Sequence, residues 1–69
     1  MTRITVTTDQ LDTVSTPFTL VRVNDITIMP VEVETVEIYN NAVVFIRPDV
    51  DPGPPFQINR TDTVTVRID

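Results

Sequence analysis

Apolar and polar residues alternate along most of this chain. Near the start, Ile4 and Val6 point one way while Arg3, Thr5 and Thr7 point the other. That period of two is what a half-buried β-strand requires. The same alternation closes the chain, with Val64, Val66 and Ile68 on one parity and Thr63, Thr65 and Arg67 on the other. The pattern predicts a first strand over residues 1–8 and a last one over 62–69. Residues 9–15 are polar with isolated Leu11 and Val14. They read as a connection containing one helical turn capped by Asp9.

A second strand is predicted over residues 17–23, with Pro17 at its first position or on an edge, where the missing N–H does no harm. Asn24-Asp25 suits a two-residue turn, followed by a third strand over 26–30. That turn pairs Val23 with Ile26, Val21 with Ile28 and Leu20 with Met29. A fourth strand starts at Val31. Val31 and Val33 share one parity, Val36 and Ile38 the other. A regular strand cannot bury all four, because a shift of one residue flips every side chain. Either a bulge near Glu34-Thr35 bends the strand, or Val31 and Val33 belong to the strand before.

A turn at Asn40-Asn41 pairs Ile38 with Val43, Val36 with Phe45 and Glu34 with Arg47. The opposite face of this hairpin carries Tyr39, Ala42, Val44 and Ile46 among Thr35 and Glu37. It is half apolar, so it belongs either to a closed barrel's core or to a surface that a partner covers. Residues 48–55, PDVDPGPP, break the pattern. Asp51-Pro52-Gly53-Pro54 suits a type II turn. A short strand over 56–59 follows.

Composition agrees with the pattern. Val, Ile and Thr make up 31 of 69 residues, against one Ala and two Leu. β-Branched side chains fit a pleated surface, and little remains to build a helix. The expected fold is a single all-β domain over residues 1–69: a small antiparallel barrel, SH3-like or OB-like, or a compact β-sandwich, with 5–7 short strands. A domain of this size buries only about 60% of the surface of its unfolded chain. Such domains lean on disulfides, metals or association. With no Cys and no His, good packing or association with other chains remains, and the expectation leans to association, as a homo-oligomer or part of a larger assembly.

Candidate chemistry is thin. Without His, Cys or Lys, triads, thiolate nucleophiles and Schiff bases cannot be built. Asp49 and Asp51 before Gly53 have the start of a calcium loop but not its later oxygen ligands. No metal, cofactor or enzymatic activity is expected. Asn59-Arg60-Thr61 fits a glycosylation sequon, read as chance. Pro52 to Pro55 has PxxP spacing, read as a stiff loop presenting Phe56 to the domain's own core or to a neighbour. The net charge is −5, with ten acids against five Arg, so nucleic acid is not an expected partner. No apolar run is long enough to span a membrane as a helix, and MTRITVTTDQ lacks the apolar core of a signal peptide. The expected location is a virion or the cytoplasm.

Two functions follow as expectations. The first is a non-enzymatic structural or assembly protein that packs onto other chains through Tyr39, Ala42, Val44, Ile46, Pro54 and Phe56. Its most concrete version is a phage virion accessory or capsid-decoration protein. The alternative is a small acidic binding module or inhibitor that meets a basic host surface with Glu32, Glu34, Glu37, Asp49 and Asp51.

Overall fold

The alternating segments become strands in two antiparallel sheets. The computed structural model describes residues 2–48 and 53–68. In chain order the elements are β1 (Thr2–Thr7), a 3-10 helix (Thr8–Thr13), β2 (Phe18–Val23), β3 (Ile26–Val33), β4 (Thr35–Ile38), β5 (Ala42–Ile46), β6 (Phe56–Asn59) and β7 (Thr63–Ile68). One sheet has the order β1-β7-β2-β3 and the other β4-β5-β6. The molecule is thus a small all-β sandwich. The predicted turn at Asp51-Pro52-Gly53-Pro54 and the acids Asp49 and Asp51 lie outside the described residues.

The two terminal strands pair with each other, Ile4 opposite Val66 and Val6 opposite Val64. Their apolar parity faces inward. Phe18, Leu20, Val31 and Val33 join Val64 and Val66 on the four-stranded sheet, and Val43, Phe45 and Ile58 meet them from the three-stranded sheet. Leu11 of the 3-10 helix closes the core and is almost fully buried. Complete burial of one such side chain stabilises the fold by about 1.5–3 kcal/mol. Phe45 stands edge-on to Phe18 across the sandwich at 6.2 Å between ring centroids.

The 3-10 helix begins two residues earlier than a cap at Asp9 would allow. Thr7 occupies the cap position, and its backbone N–H donates to Gln10 Oε1 at 3.4 Å. Asp9 is therefore free to pair with Arg60 instead. The Thr8 hydroxyl, buried, donates to the Arg60 carbonyl at 2.6 Å.

The β2–β3 hairpin departs from simple pairing. Val23 does face Ile26, and Arg22 faces Thr27, but Leu20 faces Val31 and Phe18 faces Val33. Val21 alone stands against Ile28, Met29 and Pro30. The expected pairs Val21–Ile28 and Leu20–Met29 are replaced by a bulge. The reason is visible in the core: the extra length of β3 brings Val31 and Val33 inward beside Leu20 and Phe18. Pro30, which cannot donate to a ladder, sits within the bulge on an edge strand.

Val31 and Val33 thus belong to β3, and the parity break falls at Glu34. There the chain leaves one sheet and enters the other, with the Glu34 N–H donating to the Ile46 carbonyl at 2.9 Å. Val33 and Val36 both turn inward across this corner. The β4–β5 hairpin has the predicted register, Ile38 with Val43 and Val36 with Phe45. It ends at Thr35–Ile46, so Glu34 and Arg47 do not form the expected cross-strand pair. Arg47 instead folds over Gly53, where an added β-carbon would stand 3.1 Å from its Cδ.

Candidate functional site

β5 supplies the site by its alternation. Val43 and Phe45 point inward, so Ala42, Val44 and Ile46 must point outward. Across the ladder, Val44 lies between Glu37 of β4 and Gln57 of β6, Ile46 beside Thr35, and Ala42 beside Asn59. The outer face of the three-stranded sheet is therefore an apolar stripe along its central strand with polar side chains on both flanks. None of the three stripe residues packs into the main core cluster. Ala42 is nonetheless buried by its neighbours, and Val44 and Ile46 are half-buried.

Tyr39 closes one end of the stripe. It is 52% exposed, and its hydroxyl donates to Glu37 Oε1 at 2.9 Å. That hydrogen bond, with the negative charge of Glu37, raises the phenol above its ordinary value. The backbone holds Tyr39 firmly: its N–H donates to the Ala42 carbonyl at 2.8 Å, and its carbonyl accepts from Arg60 Nη1 at 3.0 Å.

Four of the six interface candidates, Tyr39, Ala42, Val44 and Ile46, thus share one surface. Pro54 is exposed in the segment entering β6. Phe56, expected either at the interface or against the chain's own core, packs against the core. It is paired with Phe45 on the inward parity of β6, and the two rings lie 6.4 Å apart. It extends the core instead of the surface.

The described acidic candidates do not form one patch: Glu32 and Glu34 line a common groove, and Glu37 lies on the other sheet. Glu32 pairs with Thr19 on the four-stranded sheet, Glu37 stands on the outer face of the other sheet, and Glu34 sits at the corner between them. Among the described residues, no group of three or more Asp or Glu is placed to hold a metal ion. No described helix is long and apolar enough to cross a membrane.

Besides Ile38 and Tyr39 on the β4–β5 hairpin, two large apolar residues are exposed. Met29 is 86% exposed and Ile26 69% exposed, both on β3, an edge of the four-stranded sheet. The signal for that edge was Pro30, since a proline inside strand-like sequence marks an edge or a bulge. No family model matches this chain, and no curated protein or solved structure is detectably similar to it.

Proposed function

We propose that this chain is a non-enzymatic β module that packs onto other protein chains through the outer face of its three-stranded sheet. The observation that carries the reading is the outward stripe Ala42, Val44 and Ile46, which takes no part in the core cluster, with Tyr39 exposed at its end. Aromatic residues beside aliphatic ones suit the centre of an interface, and a rim of Glu37, Thr35, Gln57 and Asn59 suits its margin. A standard interface covers about 800 Å² per partner, roughly a sixth of the 4607 Å² this chain exposes. The stripe with its polar flanks and the adjoining hairpin end is a fitting centre for such a contact. In its most concrete form the module is a virion accessory or capsid-decoration protein of a phage, where small chains without catalytic groups serve by adhering to a larger lattice.

The test is native mass and light scattering of the purified chain, alone and in its source particle or lysate, at low and high salt. The expected result is a multimer or a particle-bound chain that persists in high salt, because its contacts are apolar. Val44→Asp should release it while circular dichroism stays unchanged, and Glu37→Gln should leave it assembled. A stable, partnerless monomer, or assembly indifferent to Val44→Asp and Ile46→Asp, would sink the reading.

A further inference from the structure

The other outer face of the sandwich has the opposite character. Residues directly opposite in a sheet share a face, so the register of β1, β7, β2 and β3 defines two rows. One row is Thr5, Thr65, Arg22 and Thr27; the next is Arg3, Arg67, Thr19 and Glu32. Three of the five arginines of an acidic chain stand together there, with one acid among them and nine elsewhere. Arg3 and Arg67 face each other directly across β1 and β7, a like-charge pairing that works against the sheet. Among the described residues, Arg3 and Arg22 form no ion pair and no side-chain hydrogen bond.

Between the rows runs a groove of about 300 Å³. A second irregularity shapes it, between β2 and β7: Leu20 faces Val66 and Arg22 faces Thr65, so Val21 has no partner on β7, and it fills the groove's floor, 7% exposed. Ile28 and Pro30 line the groove together with Arg3, Arg22 and Thr65. The Thr5 and Thr65 hydroxyls are hydrogen-bonded to each other at 2.9 Å.

We propose that this groove binds a short acidic segment of a partner protein, laid across β1, β7 and β2 with its carboxylates on Arg3 and Arg22 and a neighbouring apolar side chain against Val21, Ile28 and Pro30. Guanidinium groups match carboxylates in a two-point geometry. The apolar floor favours a peptide over a bare ion. A nucleic acid strand is disfavoured by charge: it would run beyond the arginines into the field of the surrounding acids, which reaches about 8 Å at physiological salt. The groove takes from the assembly reading only the premise of a protein partner. It lies on the opposite outer face from Val44, so the two can fail separately.

The test is an amide NMR titration of the full chain with the blocked peptide Glu-Glu-Leu-Glu-Glu, with its Gln-Gln-Leu-Gln-Gln counterpart and with inorganic phosphate. The expected result is shifts at Thr5, Arg22, Thr27 and Thr65 for the acidic peptide alone, fading with salt. Arg3→Gln combined with Arg22→Gln should weaken binding roughly tenfold, as two exposed ion pairs would, at unchanged thermal stability. Val44→Asp should leave binding intact. Shifts elsewhere, equal binding of the glutamine peptide, or equal binding by phosphate would overturn the proposal. So would a self-association abolished by the same arginine changes, since the occupant would then be a second copy of this chain.

Discussion

Asn24 and Asp62 clasp two loops that lie 38 residues apart: Asn24 Nδ2 donates to Asp62 Oδ1 at 3.1 Å. The same asparagine accepts the Thr63 N–H through Oδ1 at 3.0 Å and donates its own N–H to the Thr63 carbonyl. Asp62 completes the clasp by accepting the Asn59 N–H at 3.0 Å. The β2–β3 turn and the β6–β7 turn are thereby one unit. Asn24 also carries the positive φ of its turn, 53°, which asparagine tolerates better than most residues.

Asn24→Ala should therefore cost about 1–2 kcal/mol, from a strained φ and from lost hydrogen bonds. Asn24→Gly keeps the backbone freedom and should cost about half as much. Urea denaturation of both variants checks the order. Equal losses would show that backbone strain contributes nothing.

Arg60 ties three elements, and Asp9 only one. Arg60 Nη2 reaches Asp9 at 2.6 Å, and Nη1 reaches the Tyr39 carbonyl. Asp9 is largely exposed, and exposed ion pairs contribute little. Asp9→Asn should thus stay within about 0.5 kcal/mol of the wild type. Arg60→Ala should cost about 1–2 kcal/mol, because the Tyr39 carbonyl loses a charged donor. The thermal midpoints of the two variants decide it.

Much of this fold was legible in the chain, and the rest was hidden for a physical reason. Alternation alone placed Ile4, Val6, Val64 and Val66 inward, and the two-residue turn at Asn40-Asn41 set the register of Val36 with Phe45. Such features depend on neighbours in sequence. The β2–β3 bulge does not. It exists because Val31 and Val33 must reach Leu20 and Phe18, a demand of the finished core that only Pro30 hinted at. The parity break at Glu34 was visible, but a bulge and a change of sheet look alike from within one strand. The same ambiguity concealed the separation of Glu32 from Glu37, which lie on different sheets. Phe56 stayed open between core and interface because it follows a proline run and begins a strand too short to show its parity. The arginine face was hidden too: it rests on the pairing of β1 with β7, which sets Arg3 against Arg67, and no pattern local to either strand fixes a pairing between the two ends of the chain.

The single tyrosine gives a clean titration. Its hydrogen bond to Glu37 holds the proton on, and the carboxylate charge opposes phenolate formation. Glu37→Gln keeps an acceptor and removes the charge, while Glu37→Ala removes both. The phenolate absorbance should therefore appear at progressively lower pH from wild type to Gln to Ala. A raised folded pKa stabilises the protonated form, so its contribution is whole below the unfolded phenol's value near 10. It is lost as pH climbs through the folded value. A tyrosine titrating alike in all three proteins would mean that the Glu37 contact does not persist in solution.

Adjacent residues of β5 should behave oppositely, because one points into the sandwich and the next points out. Phe45 is fully buried and touches aromatic rings of β2 and β6. Truncation to Ala should cost about 3–5 kcal/mol. At roughly 0.05–0.15 kcal/mol per residue, that is a large part of what a chain of 69 residues can spare. Phe45→Ala should be mostly unfolded at physiological temperature, and Phe45→Leu, which keeps most of the volume, should fold with a lowered midpoint. Val44→Asp should fold, since the outward face offers its carboxylate water, whereas Val43→Asp buries a charge with no partner and should not fold. Circular dichroism with urea melts of these four variants separates the faces. A folded Val43→Asp, or an unfolded Val44→Asp, would mean that β5 presents its other parity to the core.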